Sequence, residues 1–74
     1  MKVGFCYDKT VVEIEWLLPF LPRAGDLISV TDLLTDEQIN TLCENRDFFR
    51  VSYVSWFPHK NTEESFVEIE LELL

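Results

Sequence analysis

The chain has 74 residues, of which 47% are hydrophobic and 14% aromatic, and its 14 acidic against six basic side chains give a net charge of −8. This length predicts a single domain spanning residues 1–74, and the composition is that of a globular chain rather than a disordered one. The negative charge argues against nucleic acid and anionic membranes as direct partners, because both are bound through basic surfaces.

We expect neither a membrane span nor a secretory signal. No apolar run approaches the ~18 residues that a spanning helix needs, and the first residues lack a sustained apolar core and a cleavage site. The two cysteines, Cys6 and Cys43, are too few for a disulfide scaffold. We therefore expect a cytoplasmic protein with free thiols, and a single disulfide between these two residues is the alternative.

The first predicted element is a β-hairpin. Residues 2–7 and 10–18 alternate between apolar and polar side chains, which predicts two strands joined by the loop Asp8-Lys9. This register places Val3 opposite Ile14 on an apolar face, and the other face ends in a pair of opposite charges. A slip of one residue breaks both agreements, so the alternation predicts one specific register.

The most apolar stretch follows, from Trp16 to Val30. Pro19 and Pro22 interrupt any strand or helix, because each lacks a backbone N–H and has a fixed φ. A turn is predicted over residues 22–25, since proline presets φ early in a turn and glycine accepts a positive φ near its end. A short strand is predicted over residues 27–30.

Within this stretch the sequence Pro-Arg-Ala-Gly-Asp-Leu-Ile, residues 22–28, resembles the entry to a strand in SH3-like barrels. Residues 21–28 are also similar to a motif in small uncharacterised bacterial proteins of about this length. The resemblance implies an SH3-like fold and no particular function, because such a turn recurs for geometric reasons.

A helix is predicted from Thr35 to Asn45, with Asn45 as a left-handed stop. Thr35 and Gln38 have the spacing of a capping box, and Leu34 and Ile39 have that of a hydrophobic staple. A helix this short is not stable alone, so we expect its apolar stripe to dock on the sheet. That stripe consists of Ile39, Leu42 and Cys43.

A second hairpin is predicted from residues 48–57 and 66–74, joined by a polar loop. The first of these strands does not alternate cleanly, and a β-bulge at Ser52-Tyr53 restores one apolar face. Arg50 then faces Glu72. The predicted inward-facing residues are Phe49, Val51, Val54, Trp56, Val67, Ile69, Leu71 and Leu73. The predicted fold is mainly β (α+β): a small five-stranded antiparallel, SH3-like, partly open barrel with one short helix, about 35–45, between strands 3 and 4.

No residue pattern indicates catalysis, a metal or a cofactor, so we predict that the protein is not an enzyme. His59, the only histidine, lies in a polar loop without an orienting partner, and it is too far from Cys6 and Cys43 in sequence for a zinc motif. Asp26 is expected to accept backbone N–H bonds beside the turn, with a catalytic or metal carboxylate as the alternative. Residues 19–23 match a PxxP ligand, and we interpret them as a rigid connector.

Two features suggest a function. Acidic stripes are predicted on two strands, at Glu13 and Glu15 and at Glu68, Glu70 and Glu72. They indicate either the solvated face of a sheet or a mimic of nucleic-acid charge.

The second feature is the candidate interface, Leu17, Phe20, Leu21 and Arg23. This segment either folds over an open barrel end or contacts a protein partner or a second copy of the chain, as in a homodimer. The leading hypothesis is a non-enzymatic protein–protein interaction or assembly module. The alternative is an acidic inhibitor of a DNA- or RNA-binding protein.

Overall fold

The computed structural model describes residues 1–42, 46–58 and 65–74. Its elements are β1 (Lys2–Tyr7), β2 (Thr10–Glu15), β3 (Leu27–Ser29), α1 (Asp36–Leu42), β4 (Phe48–Pro58) and β5 (Ser65–Glu72). The five strands form one sheet in the order β2-β1-β5-β4-β3, which curls into a half-barrel. The mainly β fold with a short helix between the third and fourth strands is therefore confirmed.

The sheet is mixed, so the prediction of an all-antiparallel sheet is wrong. β1 and β5 run parallel, with Val3 opposite Val67, whereas the other three strand pairs are antiparallel. Alternation and turn residues specify which neighbouring strands form hairpins, but they contain no information about how the first and last strands meet. In the structure β5 lies at the centre of the sheet, between β1 and β4.

The first hairpin has the predicted register, with Val3 opposite Ile14 and Asp8-Lys9 as its loop. Both loop residues have positive φ values, 47° and 68°, as in a two-residue type I′ turn. β2 ends at Glu15, opposite Lys2, rather than at residue 18 as predicted. The Glu15 carboxylate forms an ion pair of 3.0 Å with the terminal ammonium of Met1.

The predicted bulge is also confirmed, since the register between β4 and β5 shifts between Val51 and Tyr53. Arg50 lies opposite Glu72 as predicted. The inward-facing set is wrong at two positions: Trp56 is 57% exposed and Leu73 is 40% exposed. Trp56 has the inward orientation but lies where the half-barrel is open, and Leu73 follows the last residue of β5.

The core lies on the concave side of the sheet. Its fully buried side chains are Val3, Phe5, Val30, Phe49, Val51, Val67 and Ile69. The helix α1 packs against β1 and β2 with Leu42 buried, as predicted for its apolar stripe. The capping box is present, because the Thr35 N–H donates to Gln38 Oε1 (2.9 Å) and the Gln38 N–H donates to Thr35 Oγ1 (3.2 Å).

The predicted end of this helix, with Cys43 and Asn45, lies outside the described residues, as do His59 and most of the polar loop. In the part of the chain that the structure describes, no helix has the length and apolar character needed to cross a bilayer.

Candidate interaction surface

The segment after β2 turns back across the open end of the half-barrel and is fixed there by Trp16. The Trp16 indole is buried and packs at a tilted angle against Phe5, with ring centroids 6.2 Å apart. Its Nε1 donates a hydrogen bond of 2.8 Å to the carbonyl oxygen of Phe20, and its backbone N–H donates to the carbonyl of Met1 (2.8 Å). The backbone of the segment is therefore anchored to the core at both of its ends.

The side chains of this segment divide between core and solvent. Leu21 is half-buried and packs against the core cluster, whereas Leu17 is 87% exposed and Phe20 is 67% exposed. Leu21 therefore covers the open end, as the first alternative from the sequence expects, while Leu17 and Phe20 extend into solvent and a contact with a partner stays a prediction. We call residues 17–22 the apolar ridge.

A cleft lies on each side of the apolar ridge. The larger, about 690 Å³, separates the ridge from β4 and is lined by residues that include Trp16, Leu18, Val54 and Trp56. The smaller, about 330 Å³, lies towards Leu27 and the rest of β3. Sequence reasoning missed Trp56 as a surface residue, because its alternation with Val54 is the signal of a core position.

The turn that follows the ridge is held by Asp26. The Arg23 N–H donates to Asp26 Oδ2 (2.8 Å), and the Asp26 N–H donates to the Arg23 carbonyl oxygen (3.0 Å). Gly25 has φ +92°, a value that L side chains rarely adopt. The prediction that Asp26 accepts a backbone N–H is confirmed. The Arg23 side chain is exposed at the border of the larger cleft and forms no ion pair within the described residues.

The convex face of the sheet carries the predicted acidic stripes, but they are interrupted. Glu13 and Glu68 both lie opposite Gly4, which separates them by one strand. Phe66 covers this strand, since a Cβ added at Gly4 would lie 3.0 Å from the Phe66 Cζ atom. The Phe66 ring also packs against Phe57, with centroids 6.1 Å apart. The convex face is therefore a mixture of carboxylates and aromatic rings.

Cys6 is a packing residue on this face. It is buried, and its Sγ donates to the Gly4 carbonyl oxygen (3.8 Å). Burial, followed by the negative charges of Glu68 and Glu70, raises the pKa of the Cys6 thiol from 9.0 to about 11. At neutral pH the thiol is protonated and is a poor nucleophile.

Across residues 1–42, 46–58 and 65–74, no group of three histidine, cysteine or acidic side chains is placed to hold a metal ion.

Comparison of the chain with protein-family models, with curated proteins and with solved structures gives no match. The SH3-like fold implied by residues 22–28, and the likeness of residues 21–28 to small bacterial proteins, therefore stay predictions.

Proposed function

We propose that the protein is a non-enzymatic, cytoplasmic protein–protein interaction or assembly module with an SH3-like half-barrel, and that the apolar ridge is its contact surface. The observation that supports this is that Phe20 is exposed although its backbone is held in place. Its carbonyl oxygen accepts a hydrogen bond from the buried Trp16, while its ring is mostly in solvent. The SH3-like assignment is supported by the turn at Gly25, which leads directly into β3 as in the resemblance.

The exposed side chains of the ridge are large relative to the stability of a small domain. Complete burial of a Leu or Phe side chain contributes about 1.5–3 kcal/mol, whereas a small domain has a total stability of about 5–15 kcal/mol. Leu18 and Phe20 line the same cleft, and both they and the neighbouring Leu17 are exposed in an anchored segment. A contiguous exposed apolar patch of this kind typically marks a contact site.

The partner is either another protein or a second copy of the chain. Sedimentation velocity at micromolar concentrations should compare the wild type, the double variant Leu17→Ser/Phe20→Ser and the control Leu74→Ser, which changes an exposed leucine outside the ridge. If the wild type self-associates, the association should strengthen with added salt, because chains of charge −8 repel each other. Only the ridge variant should lose it.

If the wild type is monomeric, affinity capture from the native host followed by mass spectrometry should recover a protein that the ridge variant loses and the Leu74→Ser control retains. A monomeric wild type whose captured proteins are unchanged in the ridge variant would contradict the proposal.

The alternative proposal is an acidic inhibitor that mimics nucleic-acid charge. Its support is the convex face, where Glu13, Glu68 and Glu70 form no ion pair among the described residues. A captured DNA- or RNA-binding protein that is displaced by added nucleic acid, and that is insensitive to the ridge variant, would favour this alternative over the first proposal.

A further inference from the structure

The two strands that neighbour β4 pair with it over different lengths. β5 pairs with it from Arg50 to Pro58, whereas β3 pairs only with Phe48–Arg50. The turn before β3 extends the paired part of this edge of β4 by one residue, since Gly25 and Asp26 form backbone hydrogen bonds of 2.7 and 2.8 Å with Val51. Beyond it, no described strand borders residues 52–57 on the side away from β5. Backbone groups alternate in direction along a strand, so the N–H and C=O groups on this edge have no partner strand among the described residues.

The free edge opens into the larger cleft. Val54 and Trp56 of β4 form one wall, and Trp16 and Leu18 form the other. The volume of about 690 Å³ falls within the range of about 300–1,000 Å³ that is usual for ligand clefts. The site therefore offers hydrogen-bonding groups along one side and apolar surface along its depth.

We infer that an extended segment of a partner protein binds in this cleft as a sixth strand, paired with residues 52–57 of β4, and that it alternates large apolar residues with lysine or arginine. This inference rests on the proposed function and specifies how the partner is recognised. Addition of a strand to a free sheet edge is a common way to bind extended peptides.

The apolar half of the pattern follows from the register. Val54 and Trp56 lie opposite the buried Ile69 and Val67, so their side chains are on the concave side. Side chains on one strand point alternately to the two faces of a sheet. Every second residue of an added strand would therefore point into the apolar cleft.

The basic half of the pattern follows from charge. Tyr53 and Ser55 lie opposite Glu70 and Glu68 on the convex side, and these two half-buried glutamates form no ion pair in the part of the chain that is described. An added strand would lie about 10 Å from β5, two strand spacings away, where attraction is only partly screened at ~0.1 M salt. Arg50 of β4 and Arg23 at the border of the cleft disfavour a cation, so the preference for cations comes from Glu68 and Glu70 of β5 and from the net charge of −8 of the chain.

A second copy of the chain fits the cleft less well than a peptide. The ridge stands beside the free edge, because residues of both line the larger cleft. If the β4 edge of a second copy entered the cleft, the rest of that copy's sheet and its ridge would press against the wall formed by Trp16 and Leu18. Two chains of charge −8 also repel each other.

The test uses the full chain and a synthetic heptapeptide of alternating lysine and valine with blocked ends. Titration calorimetry should show saturable binding at peptide concentrations below ~1 mM. Peptide binding should slow amide hydrogen exchange at Val54–Trp56 by about tenfold or more, because edge groups become paired. The same peptide with alternate backbone nitrogens methylated should bind at least about tenfold more weakly, as should a glutamate–valine peptide.

Variants of the chain locate the site. Trp56→Ser should weaken peptide binding about tenfold or more, whereas Phe48→Ser should bind like the wild type, because Phe48 is an exposed aromatic on the part of β4 that β3 already pairs. Absence of lysine–valine binding, or equal binding of the methylated or glutamate peptide, would overturn strand addition. Protection of residues 54–56 in a peptide-free dimer would assign the edge to a second copy and would also overturn it. If strand addition fails while the ridge variant still abolishes association, the proposed function stands without it.

Discussion

The indole nitrogen of Trp16 and the carbonyl oxygen of Phe20 are joined by a hydrogen bond of 2.8 Å. This bond connects a residue of the core to the apolar ridge, because Trp16 is buried and Phe20 is exposed. An indole N–H is a donor only, so the direction of the bond is fixed. The position of the apolar ridge therefore depends on the Trp16 side chain as well as on the packing of Leu21 against the core.

Replacement of Trp16 by phenylalanine should loosen the ridge. We expect a loss of about 1–3 kcal/mol in the free energy of unfolding, from the missing hydrogen bond and the smaller buried ring. Urea denaturation measures this loss, and amide exchange should become faster at residues 17–21. The control is Trp56→Phe, an exposed tryptophan, which should change stability by no more than about 0.5 kcal/mol. Equal effects of the two substitutions would contradict the anchoring role.

Gly4 is needed because Phe66 and Val11 cross over it. A Cβ at this position would lie 3.0 Å from Phe66 Cζ and 3.1 Å from Val11 Cγ1. Alanine in a strand normally gains about 0.5–1 kcal/mol over glycine, whereas crowding costs about 1–3 kcal/mol. We expect Gly4→Ala to destabilise the wild type by about 1 kcal/mol.

The same substitution should be at least about 0.5 kcal/mol less costly in a Phe66→Ala background, because the first crowding atom is then gone. A double-mutant cycle by chemical denaturation measures this coupling. Strictly additive effects would show that the ring moves aside without cost.

The features that sequence reasoning predicted correctly are local ones. The register at Val3 and Ile14, the bulge at Ser52-Tyr53 and the capping box each depend on residues that are near in sequence or on the alternation of one strand pair. In each case two independent signals agreed, such as apolar pairs on one face and opposite charges on the other. Agreement of this kind is what makes a local structure specific.

The features that it missed depend on the global arrangement. The exposure of Trp56 and the free edge of β4 arise because β3 is only three residues long and meets β4 at its first residues, with Ile28 opposite Phe49. No pattern within either strand specifies that offset. Likewise the two prolines predicted an irregular ridge, but no pattern predicted that the Phe20 carbonyl accepts a bond from Trp16 while Leu21 packs inward.

The thiol of Cys6 should be nearly inert at neutral pH. In a Cys43→Ser variant, where Cys6 alone reacts, alkylation by iodoacetamide should reach half its maximal rate near pH 11 rather than 9, since the pKa is raised to about 11. At pH 8 the folded chain should react at least about 100-fold more slowly than the urea-unfolded chain, because two units of pKa reduce the thiolate fraction by that factor.

The same shift links stability to pH. The folded thiol keeps its proton to a higher pH than the unfolded one, so its contribution to stability is complete below pH 9.0 and is lost as the pH rises towards 11. Cys6→Ala should remove this part of the pH dependence. Half-maximal alkylation near pH 9 in a chain that circular dichroism shows to be folded would contradict the burial of the thiol.

Neutralising Glu68 and Glu70 separates the solvated-face interpretation of the acidic stripes from a functional one. Both carboxylates raise the pKa of Cys6, so Glu68→Gln/Glu70→Gln should shift its alkylation profile to lower pH. Stability should stay within about 0.5 kcal/mol of the wild type or increase slightly at low salt, because half-buried like charges are removed. The control Glu13→Gln removes a carboxylate on the other side of Gly4 and should leave the Cys6 profile unchanged.

The binding results of this variant then decide between the two interpretations. If the stripes are only a solvated face, association with a partner should be unchanged by the two substitutions at any salt concentration. If the glutamates attract a basic segment, the double variant should bind the lysine–valine peptide several-fold more weakly than the wild type. That difference should shrink as salt is raised from ~0.05 to ~0.5 M, because screening already weakens the charge attraction in the wild type. A loss that persists undiminished at high salt would point to altered packing of β5 rather than to charge.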